Sequence, residues 1–298
     1  MSHNTPRFGR MIPAMVTPFD EALELDLDRA QKLADRLVAG GSDSLIINGT
    51  TGESPTVFYP QKMELFRAVV EAVAGRIPVI ANVGDNCTAD TVSFARDAEK
   101  TGVDGFMCVV PYYNKPPQEG LYRHFSTIAG AVDLPVILYN IPGRCVINMT
   151  AETTLRLACD HENIVAVKEA SGNMEQIKRI IDEAPSGFDV YSGDDAATYE
   201  IMKAGGVGVI STIANVAPER MKEIVDLCAE GDFIRALAAH EALLPLMNGL
   251  FETSNPILVK EALKLSGFPV GGVRLPLVDA TKEQSDKLAG IMREVGVL

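Results

Sequence analysis

Eight short apolar segments, most of them rich in β-branched residues, recur along the first 211 residues of this 298-residue chain. They are Met11–Val16, Ser44–Asn48, Pro78–Val83, Gly105–Val110, Pro135–Asn140, Ile164–Lys168, Asp189–Ser192 and Val207–Ser211, and they begin 33, 34, 27, 30, 29, 25 and 18 residues apart. A near-continuous apolar run suits a strand covered on both faces, as in a parallel sheet. Parallel neighbours must be joined by a crossover, and most of these intervals hold a strand plus a crossover helix. Helical periodicity fills gaps at Leu27–Val38, Gln61–Ala74 and Ala89–Lys100, the last stopped by Thr101-Gly102. Eight strands predict an α/β fold of the (β/α)8 TIM-barrel type rather than an open sheet, which usually has fewer.

After Ser211 the strand signals cease. Pro218–Glu230, Phe233–Leu246 and Ile257–Leu265 read as helices, with the Gly/Pro-rich stretch Gly267–Pro276 interrupting the region. The expected organisation is a barrel over residues 1–230 carrying the active site, and a C-terminal helical appendage over 231–298. No Ser/Gly-rich linker separates them, so the appendage is expected to pack on the barrel.

Composition narrows the function classes. Lys and Arg total 27 against 40 Asp and Glu, a net charge of −13. Such a surface repels phosphate backbones and anionic lipid, so neither nucleic acid nor a membrane is expected as a partner. The chain has no Trp, which disfavours a base-stacking platform. No apolar run approaches the ~18 residues of a membrane span, and Met1–Arg7 leads into no apolar stretch, so no signal peptide is expected. Cys87, Cys108, Cys145, Cys159 and Cys228 are odd in number and scattered without a CxxC, which points to reduced thiols and a cytoplasmic protein. His3, His124, His161 and His240 are far apart and read as surface or packing residues, so no catalytic zinc is expected.

In barrels of this kind chemistry gathers at the C-terminal ends of the strands. The sixth strand ends Ile164-Val-Ala-Val-Lys168, and period-two alternation puts Ile164, Ala166 and Lys168 on one face. Lys168 is either a rim lysine paired to an acid or a desolvated amine able to attack a carbonyl and form a Schiff base. The fifth strand sets Tyr139 where its phenol could relay protons beside Lys168. Arg144, five residues on and past a Pro-Gly turn, reads as a loop arginine, either solvated or aimed to take a carboxylate in bidentate fashion. The second strand runs into Gly49-Thr-Thr-Gly-Glu-Ser54, whose amides and hydroxyls suit a carboxylate; no Gly-Lys-Ser/Thr follows, so it is not a P-loop. Tyr112 and Tyr113 end the fourth strand and, in extended chain, point to opposite sides. Ser192-Gly-Asp-Asp195 reads as an N-cap cluster or a place of close backbone approach. Gly205–Ile210 resembles a phosphate-cup glycine run but equally serves tight packing.

Taken in order, Ile12–Phe19, Gly49–Ser54, Val167–Gly172 and Asn255–Lys260 resemble the pyruvate-dependent class I aldolase family, which unites N-acetylneuraminate lyases and dihydrodipicolinate synthases. The resemblance covers almost the whole chain. Pro111–Gly120 and Tyr139–Arg144 are most similar to the synthase branch, which condenses pyruvate with aspartate semialdehyde in lysine and diaminopimelate biosynthesis. It implies that Lys168 forms the imine with pyruvate and that Tyr139 donates and accepts protons. Thr50 and Tyr113 would complete the relay, with Tyr113 supplied by a neighbouring subunit of a homotetramer built as a dimer of dimers. Thr51 would bind the pyruvate carboxylate, with the backbone at Gly193 and Ile210 lining the pocket, and Arg144 would hold the semialdehyde carboxylate. No metal or other cofactor is implied.

The chain departs from the family pattern in two places. Cys145-Val146 stands where Thr-Gly is usual, and Val does not easily take the backbone angles open to Gly, so the loop aiming Arg144 is expected to differ. Positions matching an effector cleft are Ser54, Tyr59, Lys62, Asn86, Asp90 and Tyr112. A lysine at 62 sets a cation where cationic lysine would bind, so weak or absent lysine feedback is expected. The alternatives are another aldolase or lyase of the group, acting on a 2-keto-3-deoxy sugar acid or N-acetylneuraminate, and a non-catalytic keto-acid-binding protein. Arg144 favours a substrate with a second carboxylate. The intact set of Lys168, Tyr139, Thr50 and Tyr113 favours an enzyme.

Overall fold

The computed structural model describes residues 6–298; His3 lies outside them. The strands are β1 (Met11–Pro13), β2 (Leu45–Ile47), β3 (Val79–Asn82), β4 (Gly105–Val109), β5 (Val136–Asn140), β6 (Ile164–Glu169), β7 (Asp189–Ser192) and β8 (Gly208–Ser211). All seven ladders are parallel, and β1 pairs with β8. A further parallel bridge from Ala14 to Ile46, with Met15 N–H donating to the Ile46 carbonyl at 2.8 Å, joins β1 to β2 and closes the barrel. Helices cover the outside, as the segment spacing predicts. Asp26, Thr150, Asn173, Asp232 and Thr281 cap helices by accepting the amide three residues on, each satisfying an otherwise orphan donor.

Two apolar cores result. Ile12, Ile46, Ile80, Met107, Ile137, Ala166, Tyr191 and Ile210 fill the barrel, one from each strand, and Phe8 joins them at the N-terminal end. The larger core lies between strands and helices and takes in residues from Phe233–Gly249, Ile257–Leu265 and Lys282–Glu294. The region after residue 230 therefore packs on the barrel through a shared core. Gly267–Pro276 follows Ile257–Leu265 and precedes the last helix.

One expectation from the sequence needs correction, and one open alternative is decided. Ile164 does not share a face with Ala166 and Lys168: it lies in the outer core, whereas Val165 and Ala166 both belong to the inner one. The β5–β6 register steps from Val136↔Ile164 to Ile137↔Ala166, so one extra residue in β6 breaks the alternation. The glycine run at 205–208 is not a phosphate cup in the mouth, because it leads into β8 at the opposite, N-terminal end. A Cβ on Gly208 would lie 2.0 Å from the Arg10 carbonyl oxygen, so its glycine allows strand contact.

Candidate active site

Beyond the bulge the register sets Tyr139 directly opposite Lys168 at the C-terminal mouth. The Lys168 Nζ stands 4.4 Å from the Tyr139 ring centre, and the residue is only 6% exposed. Burial pulls its ammonium down to about 8, with the positive Arg144 adding to the effect and the carboxylate of Asp195 opposing it. Burial also pushes the Tyr139 phenol up to about 12, against a hydrogen bond with Thr50 and the charge of Arg144. Tyr139 thus stays protonated over the physiological range, while an appreciable fraction of Lys168 is neutral.

The chain around Lys168 approaches closely. A Cβ on Gly193 would lie 2.8 Å from the Ala170 Cβ and 3.1 Å from the Lys168 Cγ, so the end of β7 can pass only as glycine. Asp194 accepts the Ala196 amide, making the Ser192–Asp195 cluster both a cap and a close approach. Asp195, the last residue of that cluster, is buried and accepts the amides of Thr212 and Ile213 at 3.0 and 2.9 Å. It stitches β7 to the end of β8, where Ile210 lies buried in the barrel.

Thr50, Asn82, Val109, Ile141, Arg144 and Cys145 line a cavity of about 250 Å³ whose lining includes neither Lys168 nor Tyr139. Thr51 is turned inward, its Oγ1 accepting from the Asn255 Nδ2 at 2.8 Å and lying 3.5 Å from the Thr212 Oγ1. Asn255 opens the segment Asn255–Lys260 that carries part of the resemblance, but it comes from beyond the barrel strands and its contact with Thr51 was not legible in the sequence. Its carbonyl also accepts from the Arg144 Nη2 at 3.5 Å. Arg144 is on a single helical turn, Pro142–Cys145, rather than an open loop. Nor does the turn avoid the glycine-like conformation expected to exclude valine: Val146 adopts φ 68° as its C-cap. That is a true outlier for a β-branched residue.

Tyr112 and Tyr113 diverge as expected. Tyr112 lines the cavity and donates to the Asp85 carboxylate at 3.4 Å. Tyr113 is 88% exposed at φ 72° and takes no part in lining the cavity of its own chain. Of the other cleft positions, Ser54 and Lys62 line the cavity. Tyr59 instead bonds Asp97, Asp90 is exposed on the first turn of Thr88–Glu99, and the Asn86 carbonyl accepts from Asn114. Asp85 is the cleft's missed member; an acid two residues past Val83, at a strand's C-terminal end, was the signal. Burial lowers the Lys62 ammonium, and Asp85 opposes that. His124 and His240 are buried, the former against Thr88 and pulled by burial down to about 4. Among the described residues, no group of three His, Cys, Asp or Glu side chains converges as a metal site.

A partly neutral lysine beside a buried tyrosine, at the C-terminal mouth of a (β/α)8 barrel, is the equipment of a lyase of the aldolase type. The model of the Dihydrodipicolinate synthetase family matches residues 7–295, and the chain belongs to that family. It is 53% identical over 293 residues to the 4-hydroxy-tetrahydrodipicolinate synthase of Symbiobacterium thermophilum, covering 98% of this chain and all of that one. It matches the lysine-bound DHDPS of Cyanidioschyzon merolae at 45% identity and TM-score 0.97, covering 99% of this chain and 100% of that one. The chloride-inhibited dihydrodipicolinate synthase of Acinetobacter baumannii, complexed with pyruvate, matches at 36% identity and TM-score 0.95, over 98% and 100% of the two chains.

Proposed function

We propose that this enzyme condenses pyruvate with L-aspartate 4-semialdehyde to 4-hydroxy-tetrahydrodipicolinate, for lysine and diaminopimelate biosynthesis. The observation that carries the reading is the desolvated Lys168 amine beside Tyr139, with Arg144 close enough for its charge to act on both. The neutral amine adds to the keto carbon of pyruvate, and loss of water leaves an imine. Removal of a methyl proton gives the enamine, which attacks the aldehyde carbon. The amino group of the semialdehyde then displaces Lys168 from the imine carbon, closing the ring and freeing the lysine amine. Tyr139 passes the protons, in relay with Thr50 and with Tyr113 of a second copy. Thr51 and the backbone at Gly193 and Ile210 hold the pyruvate carboxylate, and Arg144 takes that of the semialdehyde. The lysine imine itself activates the substrate, so no metal or other cofactor is required.

The assembly is a cytoplasmic homotetramer, a dimer of dimers; the 88% exposure of Tyr113 in the single chain supports donation to a partner. Lys62 in the cleft supports weak or absent inhibition by lysine, and an inhibition curve with a midpoint at or below the micromolar range would exclude that. The central test is borohydride reduction with pyruvate, followed by mass mapping. An adduct on Lys168 is expected, and its absence would sink every Schiff-base reading. Rates with aspartate semialdehyde against sugar-derived aldehydes then test the second substrate.

A further inference from the structure

The turn Gly49–Ser54 carries one acid, Glu53, that this mechanism leaves unused. The Glu53 side chain is 1% exposed, and its Oε1 lies 2.6 Å from the Nζ of Lys260, whose side chain is 3% exposed on the helix Ile257–Leu265. The other carboxylate oxygen accepts the Arg274 amide at 2.9 Å. Lys260 also donates to the Gly272 carbonyl at 2.7 Å, and its Nζ stands 4.1 Å from the centre of the Phe19 ring. Glu53 makes these contacts from a left-handed backbone, φ 54°. A desolvated ion pair on a strained residue is a weak source of net stability, because the cost of removing both charges from water offsets their attraction. What such a pair does supply is direction.

The direction leads to the active site. Glu53 is two residues from Thr51 and three from Thr50. Five residues before Lys260, Asn255 grips Thr51 itself and accepts from Arg144. From the barrel side, the Thr17 hydroxyl donates to the Gly52 carbonyl at 2.6 Å. One C-terminal segment thus holds the turn at two points, on either side of Gly52. We infer that Glu53 and Lys260 are positioning residues of the active site, their ion pair being the strut through which the C-terminal helical segment sets the Thr50–Thr51 turn against Lys168. The inference rests on the roles proposed for Thr50 and Thr51.

The test separates holding the fold from aiming the turn. Lys260→Met leaves Glu53 charged and unpaired, so a lower unfolding midpoint is expected from either role. Glu53→Leu/Lys260→Met removes both charges, and its midpoint recovers toward that of the parent enzyme. Its pyruvate KM nevertheless stays raised by about tenfold, and Lys168 trapping at subsaturating pyruvate slows to match. Recovery of midpoint and KM together overturns the inference. Should the double variant fail to fold, Glu53→Gln keeps the shape and removes the charge: a raised pyruvate KM supports the strut and an unchanged one overturns it. Absence of any Lys168 adduct in the parent enzyme would instead overturn the proposed function, so the two failures are distinguishable.

Discussion

With its ammonium pulled down to about 8, Lys168 is neutral in about one molecule in ten at pH 7, against about one in three thousand for a solvated lysine. kcat/KM for pyruvate should therefore rise with pH and level off above about 8; a profile flat from pH 6 to 9 would contradict this. The same burial sets a stability cost. The folded-state value lies below the unfolded one, so the penalty is full below about pH 8 and is relieved as pH rises toward the ordinary lysine value of 10.5. Lys168→Met should abolish trapping yet stabilise the fold at pH 7 by up to ~3 kcal/mol in denaturant titrations, an advantage that shrinks above pH 8. Val146 carries a different cost, that of a left-handed β-branched residue, and it is 68% exposed. Val146→Gly relieves strain but frees the unfolded chain, for a net gain of about 0.5–1 kcal/mol, measurable as a higher unfolding midpoint.

Between β5 and β6 a buried polar network fixes the segment that carries Arg144. Asn140 donates to the Glu169 Oε1 at 2.5 Å and the Asn148 Oδ1 at 2.8 Å, and its own Oδ1 accepts the Met149 amide at 3.0 Å. It thereby closes the base of the 141–148 segment. Gln176 and Ser171 complete the shell around Glu169, whose carboxyl burial pushes above its usual range. Asn140→Ala strips donors from that carboxylate and should cost about 2–3 kcal/mol. It should also raise KM for the semialdehyde more than that for pyruvate, because the Arg144 turn loses its clamp while the β5–β6 ladder remains. The strands were legible because both their faces are apolar, and Tyr139 and Lys168 because they are polar interruptions at the ends of such runs. The extra residue at Val165 was not, since every candidate there is apolar and the pattern reads the same with or without a bulge. Asn255, Asp195 and the Glu53–Lys260 pair were illegible as partners for another reason: each acts through a contact far away in sequence. Val146 shows that a sound propensity can still fail, since its tertiary setting imposes an angle that valine disfavours.

At the scale of the whole molecule, the net charge of −13 opposes two anionic substrates, so the roles proposed for Lys168 and Arg144 require these local cations to override the global field. The single chain also leaves Tyr113 88% exposed outside its own cavity, at the end of the strand that supplies Tyr112. If it completes the site of a partner, Tyr113→Phe should lower kcat far more than it alters pyruvate binding. Mixing supplies a sharper test of the assembly. In a dimer pairing a Lys168→Ala subunit with a Tyr113→Phe subunit, donation in trans leaves one site with both groups missing and the other with both intact. Two variants that are nearly inactive alone should then regain about a quarter of the parent activity when unfolded and refolded together in equal amounts, since about half of the isologous dimers are mixed. Donation within one chain leaves no intact site in any dimer, and the mixture would show only the average of the two variants.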